Sequence, residues 1–308
     1  MPLLSLKTVF AAKVEGTIGT AESLTGAEGV YNAREVDLQP SIAMTRREAQ
    51  GGFNKLTSIP EGMMGTCKIV HDITYNGTDI PSWASVLLPA CGWVDSAGAF
   101  SPRSEGPGSN VKTLTIGHYK DGKRQVLSGA MGTYKIVCPT GKLAYIEFTF
   151  TGKYSSNETD TALIAPTYPT VAPLRFAAGA LTWNSVALCT SNVEIDAGNS
   201  VIMRECVNAS DRSGYVSALV TDRAPVITAD PESVLVATQD RDSLWLTPTA
   251  QAMVIQIGSS GSSVTINVPK AQLENKQQGN RNNLMTDDLT WLATAGSSVD
   301  TELTIVFD

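Results

Sequence analysis

The sequence predicts a mainly β protein, and three observations carry that expectation. The first is Leu114 to Tyr154, LTIGHYKDGKRQVLSGAMGTYKIVCPTGKLAYIEFTFTGKY, which alternates strand-like runs with Lys-Asp-Gly-Lys and Pro-Thr-Gly-Lys turns. Asp121-Gly122 is a hairpin signal, because a tight reversal needs positive φ and glycine supplies it without steric cost. The second is clean two-residue alternation in its last strand. Ala144, Ile146, Phe148 and Phe150 fall on one face, and Glu147, Thr149 and Thr151 on the other. The third is composition: 17% charged, 42% hydrophobic and 26 glycines in 308 residues, with abundant Thr, Ser and Val. That balance is globular and all-β in character, and the length allows two domains of ordinary size.

Taken in order, strands are expected near Val9–Gly16, Glu35–Met44, Cys67–Tyr75, Leu114–Tyr119, Tyr134–Cys138 and Ala144–Thr151. In Cys67–Tyr75, residues Cys67, Ile69, His71, Ile73 and Tyr75 share a face opposite Lys68, Asp72 and Thr74, with Val70 an apolar exception. Between the third and fourth strands, Pro81–Trp93 reads as a helix. Thr78 and Asp79 offer caps, Pro81 suits the first turn, Trp83, Val86, Leu87 and Ala90 share one face, and Gly92 suits the end. Pro89 removes a backbone donor, so this helix is expected to be short or kinked. Pro40–Glu61 reads as a long polar loop with a Gly-Gly hinge, and Ala97–Ser109 as a second mobile loop.

Residues 156–173 hold three prolines and Ser/Thr clusters with no period, and read as a linker between a domain 1–155 and a domain 174–308. The second half echoes the first. Glu147-Phe148-Thr149-Phe150 matches Glu302-Leu303-Thr304-Ile305 at a separation of 155, and Leu114–Gly117 matches Ile255–Gly258 at 141. The difference calls for an insertion of about 14 residues, for which Lys276–Thr286 is the candidate. Leu244-Trp245-Leu246 hints at a second helix. The expectation is a degenerate duplication; the alternative is two unrelated meanders.

The formal charge of −7 and the lack of a basic patch argue against a protein that grips DNA phosphates. No run reaches the roughly 18 apolar residues of a membrane span. The apolar N-terminus has no basic n-region and is interrupted by Lys7, so it does not read as a secretion signal. Five widely spaced cysteines (Cys67, Cys91, Cys138, Cys189, Cys206) without C-x-x-C read as free, mostly buried thiols in a reducing cytosol.

Catalytic motifs are weak. Gly117–Lys123 fits G-x-x-x-x-G-K, but Arg124 follows where Ser/Thr would bind Mg²⁺, and the context is strand–turn–strand. Ser109–Lys112 fits S-x-x-K without companion motifs. His71 and His118 stand alone on strand faces, and Asp240 with Asp242 lacks the rest of a calcium loop. No enzymatic activity, metal or cofactor is expected.

Three segments in order carry a resemblance. Leu114–Tyr154, with its "dGk", Leu127-Ser128-Gly129-Ala130 and EFTFTGKY blocks, resembles the C-terminal signature of siphophage major tail tube proteins. Val9–Gly19 resembles that family's opening strand, and Leu87, Leu88, Ala90, Cys91 and Gly92 resemble its helix block, although Pro89 departs from it. The resemblance implies two tail-tube-like β-sandwich or barrel domains, each with a short helix, the first packed through Trp83, Val86, Leu87 and Ala90. It implies inner-sheet strands holding Ile146, Glu147, Phe148 and Phe150, and Glu302, Leu303 and Ile305. It implies an inter-ring loop at Thr45, Arg46, Arg47, Glu48, Phe53, Asn54, Lys55 and Leu56; a plain surface loop is the other reading. The implied partners are further copies of the chain, as trimeric pseudo-sixfold or hexameric rings stacked into a tube, with a tape-measure protein, tail terminator and distal tail proteins. Genomic DNA would pass through unbound along a weakly acidic, apolar-poor lumen. The expected location is the virion tail, and the host cytoplasm during assembly, with no membrane partner. A soluble carbohydrate-binding β-sandwich, for which the five tryptophans are candidates, and a tail terminator or baseplate protein remain alternatives.

Overall fold

The computed structural model describes residues 3–308 except 5, 105–110, 210 and 260, so Ser109 and Asn110 of the S-x-x-K match lie outside the described residues. The fold is mainly β. In the first half the strands are β1 (Thr8–Val14), β2 (Ala33–Glu48), β3 (Lys55–Asp72), β4 (Trp93–Ser96), β5 (Ala99–Pro102), β6 (Leu114–Lys120), β7 (Lys123–Pro139), β8 (Tyr145–Lys153) and β9 (Thr159–Asp160). In the second they are β10 (Leu181–Trp183), β11 (Val186–Ala187), β12 (Asn192–Asp196), β13 (Asn199–Glu205), β14 (Tyr215–Arg223), β15 (Val226–Ala229), β16 (Gln251–Ser259), β17 (Ser262–Arg281), β18 (Leu284–Ala293) and β19 (Thr304–Phe307).

The same set of six antiparallel ladders occurs in each half. In the first, β1 pairs β6, β6 pairs β7, β7 pairs β8 and β9, β8 pairs β3, and β3 pairs β2. In the second, β10 pairs β16, β16 pairs β17, β17 pairs β18 and β19, β18 pairs β15, and β15 pairs β12. The long strands β7 and β17 each serve two layers, and a bulge marks the crossing: between Ser128 and Met131 in one, between Leu273 and Asn275 in the other. An extra residue bends a strand and sharpens its twist, which is what lets one strand turn from one layer into the next.

Asp121 and Gly122 both have positive φ at the β6–β7 turn, as the hairpin signal required. The alternation expected for Ala144–Thr151 and Cys67–Tyr75 is met: Ala144, Ile146, Phe148, Phe150, Cys67, Ile69 and Ile73 are fully buried. The helix forms as a π turn, Trp83–Leu87, followed by a 3-10 turn, Leu88–Cys91. Pro89 has no N–H to continue an α ladder, so the last turn tightens and ends at Gly92 in the left-handed region (φ 79°). Thr78 and Asp79 do not cap it. Their backbone N–H groups donate to Asn76 Oδ1 instead, at 3.0 and 2.8 Å. In the second half, α1 (Arg241–Leu246) stands between β15 and β16, as the first helix stands between β3 and β6.

Several sequence expectations need correction. Pro40–Glu61 is not a loop. Residues 40–48 and 55–61 continue β2 and β3 as a hairpin arm, with the turn closed by Ala49 N–H donating to Asn54 O at 3.2 Å. Pro40 and the paired arginines hid the alternation of Ile42 with Met44. Within Ala97–Ser109, residues 99–102 form β5, which pairs β4 and β19, and residues 105–109 lie outside the described residues. Lys276–Thr286 forms the tip of the β17–β18 hairpin, turning through Asn282 and Asn283 at φ 53° and 67°. By ladder pattern the counterpart of β8 is β18, while Thr304 and Ile305 lie in β19, in the place of β9, with Glu302 and Leu303 just before it.

Residues 156–173 are tied down rather than free. Thr161 N–H donates to Gly122 O at 2.8 Å, and Thr74 bridges Pro173. One hydrophobic cluster runs through both halves. Phe307 packs against Trp83, Tyr75 and Phe100 at ring separations of 5.6, 5.3 and 5.8 Å, docking the last strand on the first helix. Trp183 and Trp291 meet edge to face at 5.3 Å under the second sheet.

Candidate assembly surface

Five residues of β12 pair with Lys135–Pro139 of β7, on the opposite side from β8, and this ladder fuses the two halves. A continuous antiparallel sheet of eight strands results, in the order β2–β3–β8–β7–β12–β15–β18–β17. A single row of paired residues crosses all eight: Ala33, His71, Ile146, Ile136, Ile195, Ile227, Trp291 and Leu273. Seven of them, from His71 onward, are buried.

The adjacent rows point away from the core. Glu35, Val70, Glu147, Lys135, Asp196 and Val226 form one; Asp37, Lys68, Thr149 and Thr133 another; Val137, Glu194, Thr228, Thr290 and Asn275 a third. On this open face Glu35, Asp37, Asp72, Glu147, Glu194, Asp196, Asp230 and Asp288 outnumber Arg34, Lys68, Lys135 and Arg281. Lys68 pairs with Glu147 at 3.5 Å, and Lys135 with Glu194 at 2.5 Å, across the fused ladder. Both pairs are half-exposed and contribute little to stability; their effect is to leave the face polar and net acidic.

The sheet ends in two unpaired edges. β2 has β3 on one side, and β17 beyond its bulge has β18 on one side; no other strand lies beside either among the described residues. An open edge is a row of unsatisfied N–H and C=O groups and a template for another chain. Beyond β2 the arm extends into solvent with Ile42, Met44, Leu56 and Ile59 at 42, 55, 44 and 49% exposure. Exposed apolar residues concentrated on one projection mark an interaction surface.

The second half has an arm of its own, the β13–β14 hairpin, which leaves β12 as the first arm leaves β2. It is not free. Ala218 and Val220 are buried against Met131 of β7. Lys153, almost fully buried at the end of β8, donates to Asp211 at 2.7 Å, and Met63 N–H donates to Ser213 O at 3.1 Å. Glu15 shapes the platform beneath it. This buried carboxylate accepts from Gly19 N, Gly129 N and the hydroxyls of Thr113 and Thr115 at 2.6–2.9 Å. Those bonds fix the Gly129 bulge, where β14 lies close: a Cβ on Gly129 would stand 3.0 Å from Ser217.

Thr45, Arg46, Arg47, Glu48, Lys55 and Leu56 line the first arm, Glu48 is ion-paired with Lys55, and Phe53 and Asn54 form its tip, Phe53 fully exposed. Trp83, Leu87 and Ala90 are buried and Val86 packs beside them. Ile146, Phe148 and Phe150 face the core of the eight-stranded sheet, and Glu147 its open face. Leu303 and Ile305 are buried, but β19 pairs β17 and β5, so Ile305, and Glu302 and Leu303 just before that strand, lie outside the eight-stranded sheet that holds Ile146, Glu147, Phe148 and Phe150. Glu302 instead accepts from Arg223 Nε, holding β14. Sequence reasoning missed Glu15 and the β7–β12 ladder; the second was legible only as the alternation Val193–Ile195 in a short strand.

Trp83, Trp93, Trp183 and Trp291 are buried and Trp245 is half-exposed, donating to Glu274 O at 2.8 Å. Cys67, Cys91 and Cys138 are buried, Cys206 is half-buried and Cys189 exposed, all as free thiols; burial pushes the Cys67 thiol up to about 12. No described helix is long and apolar enough to cross a membrane. No model of a known protein family matches the chain, and no curated protein matches it.

Proposed function

We propose that the chain is the major tail tube subunit of a long-tailed bacteriophage with a non-contractile tail. The observation that supports this best is the open-edged, eight-stranded sheet with one core face and one polar, net acidic face. A sheet of this kind lacks the closure that protects most β proteins, and copies joined at their edges supply it. The repeated set of six ladders supports a degenerate duplication, so each chain brings two tube units and three chains make a pseudo-sixfold ring. Rings stack into a conduit, with the exposed Phe53 tip of the arm reaching the next ring. A separate tape-measure protein sets the length, and tail terminator and distal tail proteins close the ends.

The open face then lines the lumen. Its carboxylates repel DNA phosphates, so the genome slides through without the counterion-releasing contacts that hold a binder to DNA. With four of five tryptophans in the core, a glycan-binding platform has little to build on.

Negative-stain electron microscopy of the purified chain tests the reading. Hollow tubes or stacked rings with three- or pseudo-sixfold end views are expected. A chain that stays monomeric at high concentration and binds glycans would overturn it.

A further inference from the structure

The chain carries, inside itself, one complete copy of the junction that a ring needs. The fused ladder joins β12, the second-half counterpart of β2, to the part of β7 beyond its bulge. The arm that follows β12 then runs on along β7: Asn199 N–H donates to Thr133 Oγ1 at 3.3 Å, and Val220 reaches Met131. Every element of that junction has a counterpart left unused. β2 presents a free edge over Ala33–Gln39, its arm is exposed and apolar, and β17 beyond its bulge presents a free edge over Asn275–Arg281.

We infer that neighbouring copies join head to tail by repeating this internal junction. The β2 edge of one copy pairs antiparallel with Asn275–Arg281 of the next, and the shaft of the β2–β3 arm lies along that copy's β17 toward Pro269–Gln272. The inference rests on the duplicated-ring reading and goes further, naming the strands that meet. It also divides the arm: the shaft clasps the neighbour within a ring, and only the tip is left for the ring above. Charge agrees with the pairing. Glu35 and Asp37 on the β2 edge make no ion pair within the chain among the described residues, whereas the β17 edge carries Lys276 and Arg281, which within the chain pair with Asp242 and with Asp230 and Glu232 and would be shared with the incoming carboxylates. The exposure of Ile42, Met44 and Ile59 is explained in the same way, since the equivalent arm buries its own apolar face on β7.

The test uses the full chain with a photoreactive benzoylphenylalanine at position 37 or 44, mixed from ¹⁴N- and ¹⁵N-labelled preparations. Irradiation, mass spectrometry of mixed-isotope peptides and electron microscopy are applied to the same sample. Position 37 is expected to capture residues 275–281 of another copy, position 44 residues 269–274, and covalent trimers to be the largest closed species. Hydrogen exchange on the unmodified chain gives an independent readout: amides of 33–39 and 275–281 should slow at least tenfold on assembly. Rings or tubes whose captures map elsewhere, with these amides unprotected, overturn the junction and leave the tube reading standing. A chain that forms no assembly and gives no mixed-isotope capture overturns both.

Discussion

His118 brings both ring nitrogens into the packed face of β6 without a hydrogen-bond partner, and burial, with Lys120 adding to it, holds its pKa down at about 4. His71 is shifted the same way by burial. A histidine whose folded pKa is depressed stabilises the fold above its unfolded pKa near 6.5, and that contribution is lost as pH falls through 6.5 toward the folded value. Stability is therefore expected to drop between pH 6.5 and 4, by at most about 1.4 kcal/mol per pH unit for each histidine. Urea titrations at several pH values should show His118→Gln flattening this slope; an unchanged slope would remove His118 as its source. Glu15→Ala leaves four buried donors without their acceptor and should cost about 2–4 kcal/mol. Asp287→Ala strands the buried Arg241 guanidinium, now held at 2.6 Å, and should cost about 3–5 kcal/mol. Neither Glu15 nor the Arg241–Asp287 pair was visible in the sequence, because, Gly19 apart, their partners lie 46 to 114 residues away and no local pattern records them.

At the scale of elements, what was legible followed from period and punctuation. The β6–β7–β8 meander, the Cys67–Tyr75 strand and the proline-shortened helix were readable because two-residue alternation, Asp-Gly and Pro89 each act within a few residues. The arm was misread because its strands bury nothing: with neither face covered, side-chain alternation loses its contrast. That has a consequence for mutation. Ile42→Asp with Met44→Asp should change the unfolding free energy of the monomer by no more than about 0.5 kcal/mol, as surface substitutions do, while sedimentation shows oligomers lost. Equal loss of stability and assembly would mean that the arm is part of the fold. The C-terminal strand is the opposite case. Phe307→Ala removes one ring from contact with three others and should cost about 3–5 kcal/mol in chemical denaturation.

At the scale of the whole molecule, the division at 156–173 marked where one set of ladders ends and the next begins, but the core passes through it. Sequence similarity between the halves pointed to the wrong strand pair, since β19 shares a local pattern with β8 and β18 shares its position. Position in a sheet is set by long-range pairing, and short alternating strands are too alike to reveal it. The acidic balance of the chain did carry through to the open face. Assembled particles are accordingly expected not to retard duplex DNA at about 0.15 M salt, whereas Glu35→Lys with Asp288→Lys should introduce retardation that fades as salt rises. Tight DNA binding by the unaltered assembly would contradict the conduit reading.

The strand count of the main sheet has a last consequence. Eight is even, so in an antiparallel sheet the first and last strands run in opposite directions. A second copy added at that edge by simple rotation therefore meets it antiparallel, and the up–down alternation passes from copy to copy without a seam. A seven-stranded sheet would force one parallel join per subunit, with slanted bonds and a different spacing. Parity thus leaves the number of copies undetermined by hydrogen bonding, and hands that choice to the curvature set at the two bulges.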